Sequence, residues 1–143
     1  MTKTLTFKNN ELLPTANFLN DLNLKNRASR GRTKLIKLIV AKNSEYVDER
    51  KEALDPYFKD GELLKGPDDK VDETNAAKAN EVASEIEAEP AVIEFTEYSD
   101  KLKALYESIV DYPDDLNDQD ALLYDILMDQ FEAVFENEKD GEK

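Results

Sequence analysis

Between Ser29 and Phe58 the chain carries apolar side chains that fit one long helix and little else. Ile36, Ile39, Val40, Val47, Leu54, Tyr57 and Phe58 recur at helical spacing on roughly one stripe, interrupted by Asn43 and Arg50. Ser29 offers a cap, and Asp55-Pro56 offers a stop, because a residue before proline is pushed out of the helical region. The spacing predicts a helix over residues 29–54. Such a helix must lay its stripe on something, so the rest of the chain has to supply partners of matching period.

It supplies several. In "NNELLPTANFLNDLN", Leu12, Leu13, Phe18, Leu19 and Leu22 suit a short helix capped by Asn9 or Asn10, with Pro14 tolerated only in its first turn. "ETNAAKANEVASEIEAEP" reads as an Ala- and Glu-rich helix capped by Thr74 or Asn75, anchored by Val82 and Ile86 and ended by Pro90. Ser99 is a candidate cap for a helix carrying Leu102, Leu105, Tyr106, Ile109 and Val110. Asn117 or Asp118 starts a last helix with Leu122, Leu123, Ile126, Leu127, Phe131, Val134 and Phe135 on one face. That last stripe could lie in a partner's groove, but core packing is preferred, because nothing else in the chain supplies as much apolar area.

Only two runs alternate like strands, "TLTF" near the N-terminus and "AVIEFTE" at 91–97, and each is the natural partner of the other. A lone ribbon is marginal in water, so it must pack on the helices. The expected fold is therefore mainly α, with four to five helices around one core and a small two-stranded ribbon. Residues 1–136 form a single domain in this reading: a basic helical half with the N-terminal strand at 1–58, a loop at 59–73, and an acidic helical half at 74–136. Residues 137–143 are expected to be a frayed tail.

Charge divides along the same line. Residues 1–58 hold 11 basic and 7 acidic side chains, a net of +4, while residues 59–143 hold 8 basic and 26 acidic, a net of −18. The chain has neither Cys nor His, which removes thiol chemistry, Cys/His metal sites, catalytic triads and His proton shuttling from consideration. No Gly-rich phosphate loop is present, and "DDKVDE" at 68–73 lacks the spacing of an EF-hand loop. The acid pairs such as Asp68 with Asp69 and Asp72 are what so acidic a composition produces by chance. No enzyme activity, no cofactor and no dedicated metal site are expected. "MTKTLTFKNNELL" does not resemble a signal peptide, and no stretch approaches the roughly 18 apolar residues of a membrane span, so an intracellular protein without membrane contact is expected.

Two charged features are candidate binding surfaces. Arg27, Arg30, Arg32, Lys34 and Lys37 lie at the start of the long helix, and Arg30, Lys34 and Lys37 share a face at i, i+4 and i+7. Such a stripe can neutralise phosphates. The net charge of −14 and the absence of interleaved aromatics argue against nucleic acid, however, and favour pairing with the chain's own acidic half or with a second subunit. The second feature is the run from Asp111 through Asp114, Asp115, Asp118, Asp120 and Asp125, the densest part of the acidic half. Clustered on one face, these carboxylates could occupy the basic groove of a nucleic-acid-handling protein as a DNA mimic.

The segment "ELLPTANFLNDLNLKNRASRGRTKLIKLI" resembles the N-terminal signature of a family of small proteins encoded by tailed bacteriophages and prophages of Gram-positive bacteria. An apolar short helix there precedes "L-K-x-x-x-S-R-x-R-x-K" and an aliphatic long helix; the motif falls on Leu24, Lys25, Ser29, Arg30, Arg32 and Lys34. The resemblance implies a phage protein expressed in the cytoplasm of a bacterial host, and it implies no activity. Joined to the charge layout, it leads to the expectation of a non-enzymatic phage protein that binds a host or phage protein, modulating a host defence enzyme in the manner of an anti-CRISPR. The alternative is a late-gene virion or tail-assembly accessory acting by self-association, as a homo-oligomer.

Overall fold

A computed structural model describes residues 2–112 and 115–141. The alternating runs do pair: β1 (Thr4–Lys8) lies antiparallel to β4 (Pro90–Glu94), with Leu5 opposite Ile93 and Phe7 opposite Ala91. Period two sends Leu5, Phe7, Ala91 and Ile93 inward, together with Phe95 just beyond, and leaves Val92 and Glu94 outside. The ribbon is tied down at both ends. Lys3 N–H donates to Thr96 Oγ1 at 2.8 Å, and the buried Asn9 donates from Nδ2 to the carbonyl of Ile86 at 2.8 Å. In mid-strand, Thr6 N–H donates to Gln130 Oε1 at 2.9 Å, so a side chain of the last helix satisfies a donor that the two-stranded sheet leaves over.

Among the described residues five helices accompany the ribbon: α1 (Leu12–Asn20), α2 (Asn26–Leu54), α3 (Glu73–Ala88), α4 (Ser99–Ile109) and α5 (Asp118–Gly141). The fold is mainly α with minor β. α2 and α4 run antiparallel along each other, since Asn23 just before α2 meets Tyr112 just after α4, while Lys34 reaches Tyr98 at the other end. One hydrophobic cluster extends from Leu5 to Phe135 and draws on both the basic and the acidic half. Its aromatic centre is Phe95, Tyr106, Phe131 and Phe135, with ring centroids 5.5 to 6.0 Å apart. The stripe of α5 is thus core: Leu123, Leu127, Phe131 and Phe135 are buried, although Leu122 is exposed. Among the described residues no helix is long and apolar enough to cross a membrane.

Several local expectations are corrected. α2 begins at Asn26, three residues before Ser29, because Asn26 takes a left-handed φ of 54° that an asparagine tolerates and so turns the chain into the helix early. The cap of α3 is Asp72, whose Oδ1 accepts from the amides of Thr74 and Asn75 at 3.0 and 3.2 Å, so neither of those residues is itself the cap. Ser99 is the first residue of α4, following a 3-10 turn at Thr96–Tyr98, and its Oγ accepts from Lys3 Nζ at 2.8 Å. Asn9 and Asn10 fall in a 3-10 turn ahead of α1, where Glu11 Oε1 accepts from Lys8 N–H at 2.7 Å. The expected loop at 59–73 contains a hairpin: β2 (Phe58–Lys59) pairs with β3 (Glu62–Leu63) around Asp60-Gly61, at φ 55° and 83°. Asp-Gly between two short alternating runs is the sequence signal for that primed turn. The backbone of α5 continues through 137–141 as helix.

Candidate functional site

The basic stripe divides when it is placed on α2. Arg32 turns back toward the α1–α2 connection, where its guanidinium donates to the carbonyl of Leu22 and, at 3.3 Å, to Ser29 Oγ; it fastens the turn and does not face solvent as a binding group. Lys34 lies with its Nζ 3.9 Å from the centroid of the Tyr98 ring, a cation held over an aromatic face. Arg27, Arg30 and Lys37 are exposed. Arg30, Lys34 and Lys37 are joined by Lys101 of α4, with Ser29 and Thr33, around a shallow groove of about 260 Å³. Lys101 reaches the groove because α4 approaches α2 closely at Gly31, where a side chain would collide with the Lys101 carbonyl oxygen.

Among the described residues, the expected pairing of this stripe with the chain's own acidic half is not seen. Among the described residues, ion pairs join Lys42 to Glu45, Arg50 to Glu87, and Lys65 to Glu62 and Asp69. None takes in Arg27, Arg30, Arg32, Lys34 or Lys37. On the stripe's own flank α4 presents a further cation, Lys101, beside Arg30, Lys34 and Lys37.

At that far end, Asp111, Asp115, Asp118 and Asp125 are exposed and Asp120 is half-buried; Asp114 lies outside the described residues. Asn117 caps α5, its Oδ1 accepting from the Asp120 amide at 2.8 Å, so Asp118 and Asp120 stand in the first turn, where the helix dipole favours negative charge. Asp115 and Asp120 line a groove of about 300 Å³ together with Asp21, from the end of α1, and Tyr112. Asp21 was not singled out in the sequence, because only the α1–α5 packing brings it there. Asp111 lies near the hydroxyl of Tyr124, which donates to the carbonyls of Ile109 and Val110 at 2.6 and 3.1 Å. Burial raises the pKa of that hydroxyl above its ordinary value, and Asp111 and Glu132 raise it further. Asp125 does not line the groove. Among the described residues, no three acids converge closely enough to hold a metal ion.

A third surface feature escaped the sequence reading. The second half of α2, the β2–β3 hairpin and the end of α3 enclose a groove of about 610 Å³ lined by Tyr46, Val47, Leu54 and Phe58, with Arg50, Lys51, Asp55, Asp60 and Glu87 at its edges. Val47 and Phe58, expected within the buried stripe, are 50% and 38% exposed here. The Tyr46 hydroxyl is shifted upward by burial and by Glu87, with Arg50 opposing.

Residues 3–142 match the model of a family described as "Protein of unknown function (DUF1617)". No curated protein and no solved structure matches the chain.

Proposed function

From the premise that this chain belongs to the DUF1617 family, we propose that it is a non-enzymatic phage protein that binds and modulates a host protein through its acidic end. The target class is a nucleic-acid-handling defence enzyme, met in the cytoplasm of the bacterial host. One observation carries the reading: Asp111, Asp115, Asp118 and Asp125 stand exposed, and among the described residues none belongs to an ion pair. Carboxylates left without internal partners remain available to a basic groove that otherwise holds phosphates. Charge of this density also accelerates encounter with such a groove. The phage origin is inferred from the motif at Leu24, Lys25, Ser29, Arg30, Arg32 and Lys34.

The test replaces Asp111, Asp115, Asp118 and Asp120 with Asn, which keeps size and removes four charges. Helix content should be unchanged by circular dichroism. Capture of a DNA- or RNA-binding protein from host lysate should be clear at low salt, weaker at moderate salt, and lost in the variant. A partner retained by the folded variant, or no nucleic-acid-binding protein captured at all, would sink the reading. The second reading, a virion or tail-assembly accessory acting by self-association, is favoured by a different observation, the basic stripe that forms no ion pair among the described residues.

A further inference from the structure

α2 buries Ala28, Gly31, Leu35 and Ile39 and turns its opposite face outward, with Val40 and Val47 each 50% exposed. Its charges are ordered along its length. From Asn26 to Ser44 there are six basic residues and no acid, whereas Glu45, Asp48, Glu49, Glu52 and Asp55 follow within the next 11 positions. On one flank, Arg30, Lys34 and Lys37 repeat at i, i+4 and i+7, and Asp48, Glu52 and Asp55 repeat at the same intervals. The two sets are offset by 18 residues, which is five whole turns at 3.6 residues each, so they share that flank. Each set borders its own surface depression, one of about 260 Å³ with the basic residues and one of about 430 Å³ with Asp48, Lys51, Glu52 and Asp55. Among the described residues, neither set forms an ion pair.

We infer that this face of α2 is a docking surface for a second copy of the chain, laid antiparallel about a twofold axis that passes near Asn43. A twofold perpendicular to two antiparallel helices keeps the same flank of each on the same side. Arg30, Lys34 and Lys37 of one copy then stand opposite Asp55, Glu52 and Asp48 of the other, and the symmetry repeats the three contacts. Val40 of each copy meets Val47 of the other near the axis, and Val47 also lines the apolar groove with Leu54 and Phe58. A head-to-tail arrangement would match one charge set and leave the other open; the twofold satisfies both and closes. The pairing also gives the basic stripe acidic partners, which it lacks among the described residues. The inference does not depend on what the acidic end binds, since Asp111, Asp115 and Asp118 lie outside the paired segment.

The test uses the full chain and two triple variants, Arg30→Glu/Lys34→Glu/Lys37→Glu and Asp48→Lys/Glu52→Lys/Asp55→Lys, in analytical ultracentrifugation. The native chain should sediment at twice 16.3 kDa. Each triple variant should dimerise at least about 100-fold more weakly, because like charges now face each other. Mixing the two should restore a 1:1 dimer. Because the chain has no cysteine, Ser44→Cys adds a geometric check: it should oxidise to a covalent dimer, whereas Glu49→Cys, on the far side of the helix, should not. A monomeric native chain would overturn the inference. So would a dimer that survives either reversal or fails to cross-link at Ser44.

Discussion

Thr15 is fully buried on α1, and its hydroxyl has no hydrogen-bond partner among the described residues. A buried hydroxyl without a partner carries its desolvation cost uncompensated. Thr15→Val, which keeps the branched shape, should therefore raise stability by about 1 kcal/mol in a denaturant melt. Tyr106 makes the opposite case, since its hydroxyl donates to Glu136 Oε1 at 2.8 Å while its ring stacks on Phe135. Burial, followed by the Glu136 bond and charge, pushes its pKa up to about 12. The folded state thus holds a proton that the unfolded state releases near the ordinary value of 10. Stability is unaffected below that value and falls as pH rises from about 10 to about 12. Tyr106→Phe should flatten that part of the decline in thermal melts at alkaline pH. Neither residue announces itself in the sequence. A threonine on an apolar stripe and a tyrosine at a core position look ordinary until the neighbours of their oxygens are known.

At the scale of elements, Gly31 sets how closely α2 and α4 approach. A Cβ there would collide with the Lys101 carbonyl oxygen and stand 3.2 Å from the Leu105 Cβ. Gly31→Ala would gain about 1 kcal/mol of helix propensity, but overpacking against backbone that cannot swing aside costs roughly 1–3 kcal/mol or more. The clash should win, so the variant melts lower, which a thermal denaturation curve would check. The same contact bears on why only part of the expected stripe of α2 is buried: Ile39 and Leu54 are, whereas Val40 and Val47 are half exposed. Ile36, Val40 and Val47 form one apolar line and Leu35 with Ile39 another, and sequence spacing ranks neither first. The small surface around Ala28 and Gly31 lets α4 dock on the second line, leaving Val40 and Val47 outside.

The net charge of the whole molecule is −14, and among the described residues few ion pairs compensate it. Arg50 and Glu87 are 3.6 Å apart but substantially exposed, so their pairing contributes little. Self-repulsion therefore outweighs attraction. Raising NaCl from about 0.02 M to about 0.3 M, which shortens the screening length below about 10 Å, should raise the melting temperature of the dilute protein. A melting temperature that falls over this range would mean that favourable ion pairs dominate instead.

The helices and the ribbon were legible because their causes are local. Period 3.6 in α4 and α5, period two in β1 and β4, and proline after α3 each act within a few residues. The density of acids from Asp111 to Asp125 was likewise plain from composition. Tertiary structure alone decided what those charges meet. The α1–α5 packing carries Asp21 to Asp115 and Asp120, and the α2–α4 approach brings Lys101 to Arg30, Lys34 and Lys37. Arg32 is drawn to the Leu22 carbonyl by the turn into α2. Each of these depends on which face of a helix is buried, and that is set by the closest backbone approach, a quantity no single stretch of sequence contains.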